Sequence, residues 1–366
     1  MGNSTAPPNA GARSAQNRGT IEVRPGLGFD GERLEAWLGA HVPGFCGPLT
    51  VAQFKGGQSN PTYSLATPGR NYVLRRKPPG KLLPGAHAVD REFRVLCALG
   101  KQGFPVPAAY ALCLDEAVIG TPFYVMDMVE GRIFWEPDLP EVPRAQRPAC
   151  FDAMNAAMAQ LHGIDPEAAG LGDYGKPGNY FERQIGRWSK QYLGDAEAGR
   201  VPAMDRLVDW LPANIPDVGD EARIIHGDFR CDNMVFHPTE PKVLAVLDWE
   251  LSTLGHPLAD FTYHLMMYRM PAGLANGLAG RDLRGLNLPS EEDYVAAYCR
   301  RTGRSDIPAI DFFMAFNLFR LAAIVHGIKG RLVRGTASSA HAGEMAARLD
   351  GLAELGWEQA RRAGAQ

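Results

Sequence analysis

This sequence lacks a large excess of charge of either sign. Its 366 residues carry 38 Lys and Arg against 41 Asp and Glu, a net charge of −3. A protein that binds a phosphate backbone concentrates positive charge on one surface, so the composition argues against a nucleic-acid partner. The sequence also lacks an unbroken apolar stretch long enough to cross a bilayer. The longest apolar region, Phe312 to Ile328, is interrupted by Asn317, Arg320 and His326, which predicts a buried helix of a soluble protein and no membrane partner.

Cysteine pairs at redox or metal-binding spacing are also absent. The six cysteines are scattered, with no Cys-x-x-Cys pair, which is typical of reduced thiols in a cytoplasmic protein. No second His or Cys stands at ligand spacing beside His226, so no zinc site is expected there. The first twenty residues are rich in Gly, Asn, Ser, Ala and Pro and have no apolar core. They predict a disordered tail over residues 1–20 and no secretion signal.

The pattern of the remaining residues divides the chain in two. Apolar and charged residues make up 45% and 22% of the sequence, which is a globular composition. Residues 21–126 read as short strands with one prominent helix, and residues 132–366 read as mostly helical. Val129-Glu130-Gly131 interrupts the apolar run at the end of the last strand of the first part, which predicts a hinge over residues 127–131. Nothing in the sequence indicates the oligomeric state.

Hydrophobic periodicity places the individual elements. Strands are predicted at Leu49–Phe54, Thr62–Ala66, Asn71–Lys77, Tyr110–Leu114 and Pro122–Met128. Helices are predicted at Asp30–Leu38, Asp90–Leu99, Phe151–His162, Phe181–Leu193, Met204–Leu211, Leu258–Met270, Pro308–Ile328 and Ser338–Trp357. Ser290, followed three residues later by Asp293, predicts the capped start of a further helix.

Residues 226–250 contain the candidate catalytic chemistry. Asp228 is followed five residues later by Asn233, and two apolar runs, 234–236 and 242–247, then lead to Asp248. A hairpin made of those runs would bring Asn233 beside Asp248, with Asp228 on the loop just before it. Carboxylate and amide oxygens suit Mg²⁺, and phosphoryl transfer also needs a carboxylate near the acceptor hydroxyl. The alternative is a hairpin whose Asp and Asn only cap loops, but the combined spacing favours a phosphoryl-transfer site.

The strand-rich part offers contacts for phosphates. The turn Gly56-Gly57-Gln58-Ser59-Asn60 between two strands can wrap backbone N–H groups around phosphate oxygens, because glycine lets the backbone approach closely. A plain hairpin turn is the alternative. Strand alternation puts Val73, Arg75 and Lys77 on one face. If that face lines a nucleotide cleft, Arg75 is well placed for the phosphates; otherwise Arg75, Arg76 and Lys77 are simply solvated.

Glu92 falls on the apolar stripe of the predicted 90–99 helix, together with Leu96 and Leu99. A desolvated carboxylate needs a partner. Arg75 or Lys77 is the candidate partner, and an exposed position at the edge of the stripe is the alternative.

A family resemblance joins these features. The segments His226-Gly227-Asp228-Phe229-Arg230-Cys231-Asp232-Asn233 and Leu247-Asp248-Trp249-Glu250 closely resemble the paired signatures of the aminoglycoside phosphotransferase and choline kinase superfamily. The resemblance covers the chain from about residue 30. It implies an α+β, protein-kinase-like two-lobed fold, with an N-terminal antiparallel sheet, one key helix and a mostly helical C-terminal lobe. Residues 54–62, 73–80 and 251–260 look most like the branch of kinase domains fused to acyl-CoA dehydrogenases.

The resemblance also implies roles for matching positions. Asp228 would be the catalytic base, Asn233 and Asp248 the Mg²⁺ ligands, and Asp260 a structural brace for the catalytic loop. ATP contacts would come from the residues Gly56, Gly57, Gln58, Ser59, Asn60, Arg75, Glu92, Asp127, Met128 and Val129. In that set Glu92 pairs with the basic residue of the third strand, and the backbone at 127–129 meets adenine. The strand position usually held by Lys in these kinases is Arg75 here, and the guanidinium fork differs in geometry from an ammonium, so Lys77 remains the alternative phosphate contact.

The expected activity is therefore an ATP- and Mg²⁺-dependent transfer of phosphate to the hydroxyl of a small molecule. From Asp260 onward there are 13 Lys and Arg against 11 Asp and Glu, without the acidic excess that a polycationic antibiotic would need. A basic neighbourhood, expected to be mostly solvated, is formed by Arg320, Lys329, Arg331 and Arg334. A hydroxylated metabolite, anionic or of hydroxyacyl type, is favoured. An aminoglycoside or other antibiotic phosphotransferase and a nucleotide-binding pseudokinase are the alternatives, and ATP and GTP are not distinguished.

Overall fold

The computed structural model describes residues 18–55, 60–80, 87–275, 277–336 and 342–366. The chain divides into two compact units. The sheet unit comprises the chain up to Glu136 together with Glu167–Tyr174 and Cys231–Ser252; the helical unit comprises Pro137–Pro166, Gly175–Arg230 and Thr253–Gln366. The hinge over residues 127–131 and the lobe limits beside it remain predictions, and most of the tail predicted at residues 1–20 lies outside the described residues.

A six-stranded antiparallel sheet forms the core of the sheet unit. Its strands are β1 (Thr20–Ile21), β2 (Thr50–Phe54), β3 (Thr62–Ala66), β4 (Asn71–Arg76), β5 (Ala109–Cys113) and β6 (Phe123–Asp127). They lie in the order β1-β2-β3-β4-β6-β5, and each neighbouring pair is antiparallel. The five strands predicted between residues 49 and 128 are confirmed to within one residue at either end.

Side-chain alternation decides what each face of this sheet contacts. One face packs on helix α1 (Gly31–His41), in a cluster that includes Tyr63, Leu65, Tyr72 and Leu74. Helix α1 starts at Asp30, whose side chain accepts a hydrogen bond from the Arg33 backbone N–H at 3.1 Å, an ordinary N-cap. Because successive side chains of a strand point to opposite faces, Val73 and Arg75 lie on the other face of β4.

Two further helices belong to the sheet unit, α2 (Val89–Lys101) and the short α3 (Glu116–Ile119). Helix α2 packs beside β5 and β6 and buries Val95, Leu96 and Leu99. Glu92 lies on the same buried side and is only 1% exposed. The structure therefore confirms the predicted buried stripe, and the alternative of an exposed Glu92 is wrong.

The predicted hairpin is also present in the sheet unit. Strand β8 (Met234–Phe236) pairs antiparallel with β9 (Val243–Val246), with Met234 opposite Val246. Gly131 packs tightly on this hairpin, because a Cβ atom there would lie 2.2 Å from the Phe236 carbonyl oxygen. Next to it, Arg132 and Phe236 exchange two backbone hydrogen bonds of 2.8 Å. The glycine at position 131 is thus required by this close approach.

The helical unit contains ten α-helices and one strand pair among its described residues. The helices are α4 (Arg147–Gly163), α5 (Tyr180–Gly194), α6 (Pro202–Ala213), α7 (Pro257–Arg269), α8 (Ala272–Ala275), α9 (Leu283–Leu286), α10 (Glu291–Thr302), α11 (Ile310–Val333), α12 (Ala342–Ala346) and α13 (Leu349–Arg362). The antiparallel pair is β7 (Arg223–Ile225) with β10 (Thr253–Gly255). Helix α10 has the predicted cap, since the Asp293 N–H donates to the Ser290 hydroxyl at 3.1 Å.

Helix α11 is long and apolar enough to cross a membrane, yet 78% of its apolar window is buried inside the protein, as predicted for a core helix.

The prediction of a single helix over 338–357 is wrong. Among the residues described there, helix α12 ends at Ala346, and a separate helix, α13, starts at Leu349. The apolar periodicity continues across this break, so it gave no signal of two helices.

All six cysteines lie in the described part of the chain, and none forms a disulfide.

Candidate active site

The predicted site residues occur in both units. In the sheet unit, the guanidinium of Arg75 is the centre of the arrangement. Its side chain is 9% exposed and contacts three carboxyl groups. Nη2 lies 2.5 Å from Asp248 Oδ1 and 3.3 Å from Glu250 Oε2. Nε lies 2.9 Å from Glu92 Oε2, an ion-pair contact in which the N–H is not aligned for a hydrogen bond.

These contacts answer two questions that the sequence left open. The ion-pair partner of Glu92 is Arg75, not Lys77. Arg75 and Arg76 are 7% and 2% exposed, so the alternative in which all three cations are solvated is wrong. Burial opposes the charge of Arg75, but Asp248 and Glu92 outweigh it and hold its pKa above the ordinary value. Arg75 is therefore a permanently charged group beside Asp248.

Glu92 is fixed by two further hydrogen bonds. The Asn60 side-chain amide donates to Oε1 at 2.9 Å, and the Tyr124 hydroxyl donates to Oε2 at 3.1 Å. Burial raises the pKa of Glu92, while Arg75 and the two donors act against that rise. Asn60 is itself fully buried, with Oδ1 2.8 Å from His87 Nδ1. Asn60, predicted as a nucleotide contact, thus supports the Glu92 carboxylate in this structure.

The open end of the β8–β9 hairpin carries the two predicted metal ligands. The Leu247 N–H donates to the Asn233 carbonyl at 2.8 Å, so strand pairing places Asn233 beside the segment that contains Asp248, as predicted. Asp248 has a left-handed backbone, with φ of +63°. That conformation is uncommon for a residue other than glycine and occurs mainly where the surroundings enforce it.

Trp249 supplies that enforcement. Its side chain is 2% exposed and packs edge-to-face on Phe104, with ring centroids 5.8 Å apart. Its indole N–H donates to the Val246 carbonyl at 2.9 Å. The residue after Asp248 is therefore anchored, which fixes the direction of the Asp248 side chain.

Glu250 is a site residue that the sequence reasoning missed. It lies two positions after Asp248 and contacts the same nitrogen of Arg75. The quoted Asp-Trp-Glu segment contained this signal, since a second carboxylate within two residues of a metal ligand is a further candidate ligand.

The structure describes only some of the other predicted nucleotide contacts. Gly56, Gly57, Gln58 and Ser59 lie outside the described residues. The Asp127 carboxylate accepts hydrogen bonds from Arg70 at 3.2 and 3.0 Å, and the Asp127 N–H donates to the Ala108 carbonyl at 2.8 Å. Met128 and Val129 follow at the end of β6. The adenine contact at 127–129 stays a prediction.

In the helical unit, β7 leads directly into the loop of Asp228, residues 226–229. Gly227 has φ of +84°, a conformation that glycine adopts without strain. His226 is fully buried, and its Nδ1 accepts a hydrogen bond from the Asp228 N–H at 3.2 Å. His226 therefore serves the backbone of this loop. The Asp228 carboxylate accepts a hydrogen bond from the Tyr263 hydroxyl at 2.7 Å.

Asp260 braces this loop from helix α7. Its two carboxylate oxygens accept hydrogen bonds from the backbone N–H groups of His226 and Gly227, each at 2.8 Å. His162 Nε2 lies 3.3 Å from the same carboxylate. Although complete burial works in the opposite direction, these partners lower the pKa of Asp260 below its ordinary value. The carboxylate is therefore ionised at neutral pH and holds two peptide groups in place, the role that the resemblance implied.

This fold, with its Arg-carboxylate cluster and its braced Asp228 loop, defines a protein-kinase-like phosphotransferase. The chain belongs to the phosphotransferase enzyme family, whose model matches residues 50–313. A solved structure from Ralstonia eutropha, provisionally assigned as an aminoglycoside phosphotransferase, is 52% identical, covers 92% of this chain and 99% of its own, and has a TM-score of 0.84. The chain thus has the α+β, protein-kinase-like fold of the small-molecule kinases in this family.

More distant structures share the fold. A thermostable mutant of an aminoglycoside phosphotransferase, in complex with ADP and hygromycin B, is 16% identical, with a TM-score of 0.61 over 92% of this chain and 99% of its own. Choline kinase from Cryptosporidium parvum is 12% identical, with a TM-score of 0.62 over 91% of this chain and 97% of its own.

Two curated relatives confirm the predicted branch. Acyl-CoA dehydrogenase family member 10 of Mus musculus is 44% identical over 351 residues, which are 94% of this chain and 32% of the relative. Acyl-CoA dehydrogenase family member 11 of Gallus gallus is 46% identical over 352 residues, which are 94% of this chain and 45% of the relative. The chain therefore spans 32% and 45% of the length of these two relatives.

Proposed function

We propose that this small-molecule kinase transfers the terminal phosphate of ATP, with Mg²⁺, to a hydroxyl group of a metabolite. The observation that carries the proposal is the cluster in which Arg75 contacts Glu92, Asp248 and Glu250. It places a permanent cation beside the carboxylates that would hold the metal, which is the combination that phosphoryl transfer needs. Complexes of structural neighbours with ADP and with AMP-PNP support ATP as the phosphate donor.

The donor set in the sheet unit fits Mg²⁺. Asp248 and Glu250 provide carboxylate oxygens that converge on one guanidinium nitrogen, and Asn233 lies at the same end of the hairpin. The described residues contain no group of three His, Cys, Asp or Glu side chains suited to a metal. Mg²⁺ bound with a nucleotide does not need one, because phosphate oxygens and water complete its coordination. Asp248, Asn233 and Glu250 would hold the ion, which neutralises charge on the phosphates when it is bound.

Asp228 would serve the acceptor. Its carboxylate is positioned through Tyr263, and its loop is held by Asp260. A carboxylate fixed in this way can orient the acceptor hydroxyl and accept its proton as the oxygen attacks phosphorus.

We further propose that the acceptor is an anionic metabolite, with hydroxyacyl compounds as the first class to test. Arg320 is 7% exposed and its Cζ lies 5.3 Å from the centre of the Tyr263 ring. Arg230, exposed and two residues after Asp228, is also close enough to act on the Tyr263 phenol electrostatically. The charges around the Asp228 side chain thus include two arginines, which favour an anion over a polycationic antibiotic. Two relatives named as acyl-CoA dehydrogenase family members, of which this chain covers 32% and 45%, support an acyl substrate.

The basic residues predicted on and near α11 provide less free positive charge than their number suggests. Arg334 is engaged with Asp195 and Glu197, at 2.7 and 3.4 Å. Arg331 is exposed. Arg320 is buried, so for this residue the prediction of a solvated face is wrong.

One experiment separates the candidate functions. Purified protein is given ATP and Mg²⁺, and ADP release is measured in parallel with hydroxyacyl-CoA compounds and with kanamycin-type aminoglycosides. We expect stimulation by a hydroxyacyl compound and a loss of about 100-fold or more in Asp228→Asn. Stimulation by an aminoglycoside alone would support an antibiotic phosphotransferase. Nucleotide binding without ADP release in either arm would indicate a pseudokinase and overturn the proposal. We also propose that this reaction takes place in the cytoplasm, where the scattered thiols stay reduced.

A further inference from the structure

Helix α7 contacts the loop of Asp228 through three side chains on one face. Asp260, Tyr263 and His264 occupy positions i, i+3 and i+4, which adjoin on a helix. Asp260 accepts the N–H groups of His226 and Gly227. The next two contacts continue along the loop. Tyr263 donates to the Asp228 carboxylate, and His264 Nδ1 lies 3.0 Å from the Phe229 carbonyl.

Only one of these contacts reaches the catalytic side chain. Asp260 and His264 hold backbone groups, whereas the Tyr263 hydroxyl contacts Asp228 Oδ1 at 2.7 Å. A short hydrogen bond from a hydroxyl to a carboxylate is charge-assisted and directional. It restricts rotation of the carboxylate plane, and with it the direction from which the acceptor proton can be taken.

Tyr263 is itself held in place and kept protonated. The residue is 8% exposed, and the guanidinium of Arg320 lies over its ring at 5.3 Å. Arg320 Nη2 also donates to the Gly227 carbonyl at 2.8 Å, so one side chain contacts both the loop backbone and the Tyr263 ring. Burial, reinforced by the Asp228 carboxylate, raises the pKa of the Tyr263 phenol well above its usual value. The phenol is therefore a hydrogen-bond donor throughout the working pH range.

We infer that Tyr263 is a positioning residue for phosphate transfer, which acts by orienting the Asp228 carboxylate, with Arg320 holding the Tyr263 ring. This inference rests on the proposed role of Asp228 as base. It concerns a residue for which neither the sequence motifs nor the relatives' names gave a role. The signal available in the sequence was the spacing Asp260-x-x-Tyr263-His264 on a predicted helix.

The test compares Tyr263→Phe with Tyr192→Phe. Tyr192 is a matched control in the same unit, because it is 1% exposed and its hydroxyl donates to the Asp205 carboxylate at 2.6 Å. ADP release is measured with Mg²⁺ and ATP, using as the acceptor water and, in parallel, the hydroxyacyl-CoA compounds and kanamycin-type aminoglycosides named above. Melting temperature is measured for each variant. We expect kcat to fall about tenfold to hundredfold in Tyr263→Phe, which is the fold-change that corresponds to losing one hydrogen bond to a charged group. The KM for ATP should be unchanged. In Tyr192→Phe, kcat should stay within about twofold at a comparable loss of melting temperature.

A double-mutant cycle with Asp228→Asn shows whether Tyr263 acts through Asp228. If it does, adding Tyr263→Phe to Asp228→Asn lowers kcat no further. Full additivity, or a Tyr263→Phe enzyme with the kcat of Tyr192→Phe, would overturn the inference while leaving the proposed function in place. A wild-type protein that releases no ADP with water, with hydroxyacyl-CoA compounds or with kanamycin-type aminoglycosides would overturn the proposed function and this inference together.

Discussion

Arg75 Nη2 and Asp248 Oδ1 lie 2.5 Å apart, although 173 residues separate them in the chain. The contact joins the middle of the sheet to a residue with a left-handed backbone that follows the β8–β9 hairpin. The Arg75 guanidinium thus contacts the carboxylate that we propose as a metal ligand. In the proposed reaction, Asp248 would hold Mg²⁺ and Arg75 would supply positive charge for the phosphates of ATP.

Arg75→Lys tests whether the guanidinium fork is required. Arg75 contacts Glu92 through Nε and the other two carboxyl groups through Nη2, and a single ammonium cannot reproduce that geometry. We expect kcat/KM for ATP to fall about tenfold or more, in steady-state ADP release. The control is Arg33→Lys in the same unit, because Arg33 pairs with Asp30 at an exposed position, where such a pair contributes little. Equal activities in the two variants would show that charge alone suffices at position 75.

Glu250→Gln tests the added metal ligand. The change keeps the shape of the side chain and removes its charge, so the site should bind Mg²⁺ more weakly. We expect the Mg²⁺ concentration for half-maximal nucleotide binding to rise about tenfold, as expected for loss of one carboxylate ligand or its supporting contact. Isothermal titration calorimetry at several Mg²⁺ concentrations measures it. Asp248→Ala should abolish the metal dependence, and Glu240→Gln, in the exposed turn of the hairpin, is the control. An unchanged Mg²⁺ requirement in Glu250→Gln would remove Glu250 from the ligand set.

Stability should fall with pH through the acid range because of a buried histidine. His264 is 3% exposed, and burial lowers its pKa to about 4. In the unfolded chain a histidine takes up a proton at about pH 6.5. Between these values only the unfolded state binds the proton, so the free energy of unfolding falls as the pH is lowered from about 6.5 to about 4, by up to about 3 kcal/mol. His256, with a pKa also lowered to about 4 by burial, should add to the slope.

Urea unfolding at pH values from 7.5 to 4.5 measures that slope. The His264→Asn variant keeps a donor for the Phe229 carbonyl but cannot titrate, and its slope should be shallower than that of the wild type. His41→Asn, at an exposed position, serves as the control. Parallel curves for the wild type and His264→Asn would contradict the assignment.

Local patterns in the sequence determined much of this protein. The strands and most helices were predictable because alternation and the 3.6-residue period report which side of each element is buried. The meeting of Asn233 with the Asp248 segment followed from the length of one turn, since a hairpin fixes its own register. The cap of helix α10 was equally local, because Ser290 and Asp293 lie one turn apart.

Tertiary structure decided the contacts between distant segments. The sequence offered Arg75 and Lys77 as partners for Glu92, and only the register of β4 beside β6 and the packing of α2 put Arg75 against it. The bond from Tyr263 to Asp228 spans 35 residues and depends on which face α7 turns to the loop. Alternation and helical period describe one element at a time. The pairing of side chains from different elements depends on how those elements pack, which no local pattern encodes.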